Sequence, residues 1–572
     1  MTQLIPLQVT APGFYGLNTQ QAVTGDLHWA SEAVNCVIDD RGRIASRKGR
    51  LTVTSSAISG TPSVRTVYEQ ITSAGTATIL SAAGNKLYSG TSTLTDITST
   101  ADDVTGISAD HWQMQNINNK IVGFQDGHDP IVRTTGNFSL LQQGITVWVT
   151  ATAYVVGDVR RATAGNQTLY FHVTSISGSG TSGGVEPTWD TTVGNTTIDN
   201  AGANQVVWTT RKMPNGNVCH SAFGRIWVTS DGDDSVIEFS DTLLPHIFRG
   251  GAAGTLDLKT VWGGDQIVAI SSIENYLVIF GKRHILVYSG PDDPSTMTLS
   301  EKLEGVGCIA RDSVQSTGND LVFLSNSGVR LLSRAIEAGG RQALGDLSRN
   351  VRDSMMNQVA SETTALIKST YHEPDGFYIL SLTGVGTDWV FDLRFPNEDG
   401  TAKITTWSSF GGKSFYSSRD RTLYVGGAGV IAKYYGYNDG STSSYVMRYK
   451  STWMDFSSID PAIGSRFKIP KSWRIRVLTN VSYLVTYLWA FDFNETFSNS
   501  ASQLTVDSDA SEWNVAEWNI SEWSGGSSFS DTRIHAAGHG QVMKIGTNVT
   551  INGSIIAFQE ILLGVKLGRQ AF

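Results

Sequence analysis

The 572 residues exceed what one hydrophobic core usually serves, so several domains or a repeat array are expected. Charged residues make up only 17%, and 43 Lys and Arg against 52 Asp and Glu leave a net charge of −9. That balance argues against a protein that grips duplex DNA over a broad basic face, though not against one that DNA slides past.

The first residues, MTQLIPLQVTAPGFYG, have neither a basic start nor an apolar run of signal-peptide length, so no secretory signal is expected. Residues 1–58 read as an extended leader. In it Val34–Ile38 and Arg43–Arg47 form two strands around the turn Asp39-Asp40-Arg41-Gly42. A hairpin pattern then recurs seven times: a short apolar strand, a turn of Gly, Asn or Asp, and a second apolar strand. The copies are Thr78–Gly90, Lys120–Thr134, Gly224–Asp241, Asn275–Gly290, Asn319–Arg334, Asp375–Leu393 and Arg421–Tyr437. With one long insertion removed their starts fall roughly 45 residues apart, the blade period of a β-propeller. An all-β fold with a propeller of about 6–7 blades is expected over 59–145 and 213–440, with β-rich segments at both ends.

Helix signals are weak. The best is Leu344–Ala360, where Leu347, Val351 and Met355 recur at helical spacing. After residue 440 the hairpin period stops, and 441–572 reads as a separate β-rich domain. Within it Val481–Phe493 alternates like a strand and is too short and polar for a membrane span of about 20 residues. Cys36, Cys219 and Cys308 are odd in number and far apart, with no zinc spacing, so reduced buried thiols in a reducing cytoplasm are expected.

No catalytic constellation stands out. The chain has no G-x-S-x-G elbow, P-loop, H-E-x-x-H or dinucleotide glycine fingerprint. His535 and His539 lie in a glycine-rich stretch unsuited to a helical metal pair, and the acidic turn Ser230–Asp234 lacks the later Gly and Glu of a calcium loop. No cofactor, metal or catalytic residue is therefore expected. A propeller glycosidase would need a carboxylate pair about 5–9.5 Å apart, which a sequence cannot single out.

Several phrases in order along the chain resemble the tail nozzle proteins of short-tailed (podovirus-type) bacteriophages, also called tail tubular protein B. They are PGFYGLNTQ with NCVIDDRGRIASRKGR; FGRIWVTSDGDDSVIEFSDTLLPHIF (223–248); STGNDLVFLSNSGVRLL (316–332); WVFDLRFPNEDGTAKITTW (389–407); and the closing TINGSIIAFQEILLGVKLGR. The resemblance implies a virion structural protein without enzymatic activity, located in the virion tail. Six copies would form a ring below the head-to-tail adaptor ring, retain the genome, conduct double-stranded DNA without reading its sequence, and dock tail fibres or spikes. It further implies propellers in the outer wall and the remaining domains around the channel. A wall without net positive charge would let DNA pass with few sticky contacts.

The insertion 146–212 resembles carbohydrate-binding-like modules found in phage structural proteins, at Tyr154, Gly157, Asp158, Tyr170, Pro187, Trp189 and Trp208. Aromatic faces suit sugar C–H groups, so Trp189, Tyr170 and Trp208 are candidates for a platform binding host-surface glycans. Equally, in so small a module they can form the core. The other peculiarity is SEWNVAEWNISEW, with Trp513, Trp518 and Trp523 five residues apart, a spacing that fits neither a helix face nor a strand. These rings serve either as anchors for a fibre or neighbouring subunit or as packing within the last domain. The competing functions are a propeller glycosidase or depolymerase and a glycan-binding adhesin.

Overall fold

A computed structural model describes residues 4–20, 24–26, 28–99, 104–107, 110–338, 346–408, 410–458, 461–505 and 528–570. Seven antiparallel meanders follow one another along the chain, six of four strands and one of three. They begin with innermost strands at Val64–Ile71, Gln113–Ile117, Cys219–Ala222, Ile267–Ile273, Gln315–Ser316, Ile367–His372 and Ser414–Ser417. Each of the seven hairpins read from the sequence lies in one meander. The fold is all-β, built around a seven-bladed propeller.

Closure is visible in the packing. Separate apolar cores fill the seams between successive blades: Leu87, Trp112 and Ile131 between blades 1 and 2, Trp227, Ile237 and Leu277 between 3 and 4, and Phe280, Val287 and Phe323 between 4 and 5. Trp407, Phe410 and Val425 join blades 6 and 7, and Val64, Ile79 and Ile431 bring blade 7 back to blade 1. Hydrophobic burial at every seam is what makes a closed ring more stable than seven loose sheets, each too small to bury its own faces.

The leader supplies the closing strand. Arg50–Thr52 pairs antiparallel with Ile431–Tyr434 as the outermost strand of blade 7, so the ring is stitched by segments nearly 400 residues apart. The leader's hairpin forms around the expected turn, with strands Cys36–Ile38 and Ile44–Ser46, and Gly42 takes φ +73° where Pro12 leaves no room for a Cβ. The expected boundary at residue 58 does not separate structural units, because the leader also builds the last domain.

That domain is two sheets packed face to face. In one, Arg466–Thr479 pairs along its length with Ile556–Gln570, flanked by Ser528–Ile534 on one side and by Ile5–Thr10 and the leader hairpin on the other. The other sheet extends blade 6 outward: Lys403–Ser408, Trp29–Val34, Tyr445–Ser451, Met543–Ile551, Tyr483–Phe491 and Ser498–Leu504. Trp473, Ile475 and Val477 from the first sheet meet Tyr487, Val485 and Val549 from the second, and the Trp473 and Tyr487 rings cross edge to face at 4.7 Å.

Arg47 locks ring, leader and last domain together. Its guanidinium, fully buried, forks onto the Asp439 carboxylate at 2.9 and 2.7 Å, donates to Asn35 Oδ1 at 2.9 Å and to the Lys48 carbonyl at 3.0 Å, and lies 4.0 Å over the Tyr445 ring. Two residues on, a Cβ at Gly49 would sit 2.0 Å from the Asn438 carbonyl oxygen, so only glycine lets the two backbones meet.

The expected helix is shorter than its pattern. Leu347, Val351 and Met355 are all buried, but among the described residues of that stretch the helix begins only at Arg352 and runs to Ser361. A second short helix, Leu332–Glu337, follows blade 5. All three cysteines are free and buried, and burial raises the Cys308 thiol to about 11. No helix among the described residues is long and apolar enough to cross a membrane.

Candidate functional site: the bridged channel and the inserted module

The innermost strands surround a central cavity of about 530 Å³ lined by polar side chains, among them Arg65, Gln113, His220, Gln315, Thr370 and Arg419. At the end where these strands begin, the cavity is barred. Asp312, before blade 5, takes Lys368 Nζ of blade 6 at 2.6 Å and Arg311 Nε at 2.8 Å. His111, before blade 2, meets Lys368 Nζ at 2.5 Å and Arg311 Nη2 at 2.9 Å. Arg311 also donates to the Asn217 carbonyl before blade 3 at 2.6 Å. Blades 2 and 5 are not neighbours in the ring, so the contact must cross the channel axis.

The electrostatics of the bar follow from burial. Two cations hold the Asp312 carboxyl well below the usual carboxylate range, although desolvation opposes them. Desolvation and the flanking Arg311 push His111 down to about 3, so it is neutral at physiological pH. With every charge on Asp312 answered, the cluster is a tie across the ring and offers no free base or nucleophile. Nothing local in the sequence announces it, since His111 and Lys368 are 257 positions apart.

A pH dependence follows. Unfolded, the His111 imidazole takes up a proton near 6.5, but in the fold only near 3. Across that window the unfolded state binds the extra proton, so stability falls as pH drops through it. From pH 7 to 4.5 this group alone should remove roughly 2–3 kcal/mol. His220 and His246, both held down to about 4 by burial, act in the same direction. Denaturant melts of His111→Gln should show a shallower acid slope than wild type; an unchanged slope would refute the assignment.

The inserted module is one sheet, with Leu169–Ile176 and Val206–Lys212 at its centre. It buries all three proposed glycan residues, which corrects the platform expectation. Trp208 is 0% exposed, Tyr170 1% and Trp189 9%. Phe171 stacks on Trp189 at 3.8 Å, and Trp189 and Tyr154 each meet Trp208 edge to face, so no ring presents a free face to a sugar. Tyr170 instead joins the seam of blades 2 and 3 with Phe124, Ile226 and Val228, seating the module on the ring.

The other resemblance positions have structural work. Gly157 turns the chain at φ +103°, and Asp158 Oδ2 accepts the Val155 amide at 3.0 Å. Gly157 also approaches Gly250 of blade 3 closely enough that a Cβ on Gly250 would fall 2.0 Å from its carbonyl oxygen. Trp513, Trp518 and Trp523 lie outside the described residues. His535 and His539 lie in irregular backbone after the strand Ser528–Ile534, and no three His, Cys, Asp or Glu among the described residues gather into a possible metal site.

No protein-family model matches the chain, and no curated protein matches it. Among solved structures it is similar to Hsv2 of Kluyveromyces lactis (8% identity, 60% of this chain and 98% of that one, TM-score 0.26). It is also similar to the Pan2 WD40 domain of Neurospora crassa (11%, 76% and 95%, TM-score 0.27) and to apo AztD of Citrobacter koseri (9%, 59% and 88%, TM-score 0.28). Likeness at this level carries no functional argument.

Proposed function

We propose that this chain is one subunit of a hexameric tail nozzle in a short-tailed bacteriophage. In this reading it is a structural protein, not an enzyme, that sits below the head-to-tail adaptor, holds back and then conducts the genome, and docks tail fibres. The observation that supports it most is the weave of the leader. The phrase NCVIDDRGRIASRKGR, which carries part of the resemblance, places Asn35, Arg47 and Gly49 where ring, closing strand and last domain meet.

In this reading the propeller and the last domain divide the work. The propeller's own mouth is barred by the Asp312 cluster, so a DNA path runs outside it and the propeller serves as wall. The two-sheet domain, with the longest strands of the chain, is then the part available to border the passage. Quantitative mass spectrometry of gradient-purified particles from the source culture tests the proposal. About six copies per particle are expected, and absence from particles would sink it.

A further inference from the structure

We infer that the solvent face of the Arg466–Thr479 and Ile556–Gln570 sheet is a surface for the phosphate backbone of double-stranded DNA. The inference rests on the nozzle reading for its choice of polyanion. Residues on this face alternate with the buried Trp473, Ile475 and Val477, so the outward positions can be read row by row from the strand registers.

The first row is balanced. Arg476 reaches Glu560 Oε2 at 3.2 Å and Asp531 Oδ1 at 3.1 Å, and Gln8 donates to Glu560 Oε1 at 2.7 Å. The second row is not. Arg474 stands directly opposite Arg533 on the neighbouring strand, with Leu562 on its other side. Like charges opposite one another destabilise a sheet. Among the described residues the carboxylate paired with this row is Asp531, 3.6 Å from Arg474 and already shared with Arg476.

Further along, Lys566 and the exposed Lys471 add two cations with no ion-pair partner among the described residues. Among the described residues the face thus holds Arg474, Arg476, Arg533, Lys566 and Lys471 against Asp531 and Glu560, in a chain of net charge −9. A cross-strand arginine pair whose one nearby carboxylate is already divided with Arg476 keeps surplus positive charge that a phosphate can answer. Leu562, beside Arg474 in the second row, contributes no charge.

The test uses the full chain and a fluorescent 30-bp duplex of random sequence, with anisotropy followed from low to physiological salt. The triple variant Arg474→Gln, Arg533→Gln, Lys566→Gln should bind at least tenfold more weakly at low salt. Its slope of log K against log salt should fall by about 2–3, near 0.9 per lost phosphate contact. A matched thermal melt checks that the variant folds, and Lys282→Gln with Arg283→Gln on blade 4 serves as the control. An unchanged slope, an equal loss in the control, or no binding by the native chain at low salt would overturn the inference. Particle copy number is scored separately: six copies without DNA binding would reject this face alone, whereas absence from particles would reject the nozzle itself.

Discussion

Arg47→Ala should cost the protein about 3–5 kcal/mol, because it strands the largely enclosed Asp439 carboxylate and empties the joint at once. The lost partners are the two oxygens of Asp439, Asn35 Oδ1, the Lys48 carbonyl and the faces of Tyr445 and Phe410. Lys at this position should not rescue it, since an ammonium cannot fork onto a carboxylate and lie flat on a ring. The damage should have a location. If Arg47 fastens the closing strand, limited proteolysis of the variant will cut first near residues 50–62, before the blades are lost. Urea melts of Arg47→Ala, Asp439→Leu and the double variant give the coupling directly. Additive losses would show that the pair is not the fastener described here.

Trp208→Ala should remove a similar 3–5 kcal/mol, but from the inserted module alone. Trp208 touches Trp189 and Tyr154 and is fully enclosed. Its indole nitrogen has no hydrogen-bond partner among the described residues, so its contribution is apolar packing. Trp208→Phe should therefore be far milder, on the order of 1–2 kcal/mol. Hydrogen exchange should report the Ala variant's loss in 147–212 while blades 4 to 6 keep their protection. Uniform loss over the whole ring would mean that module and propeller unfold as one body. Sugar binding that survived Trp208→Ala would reject the idea that these rings ever formed a glycan platform.

What the sequence disclosed and what it hid divide along physical lines. The seven hairpins were legible because each is local: strand, turn and strand lie within about 20 residues and carry their own period. The leader hairpin was legible for the same reason, through Asp39-Asp40-Arg41-Gly42. Arg50–Thr52 was not, since three half-buried residues have no period and their partner Ile431–Tyr434 lies far down the chain. The module's rings were found, but their burial was not decided, because core and platform ask for the same residue types. The channel bar left no trace, for a His, an Arg-Asp pair and a Lys in separate blades form no motif. The basic face left a faint one in the alternation of Trp473-Arg474-Ile475-Arg476-Val477.

The weave of the two ends also sets an order of events during synthesis. Ile5–Thr10 pairs with Glu560–Val565, and Arg50–Thr52 waits for Ile431–Tyr434. At 5–20 residues per second, the closing strand leaves the ribosome roughly 20–80 s before its partner exists. The early blades must hold themselves open at both flanks during that interval, with unpaired edges available to neighbouring nascent chains. Such a chain closes its ring only once Ile431–Tyr434 is made and its second domain only once Ile556–Gln570 is made, so a product terminated before either carries an unfinished edge.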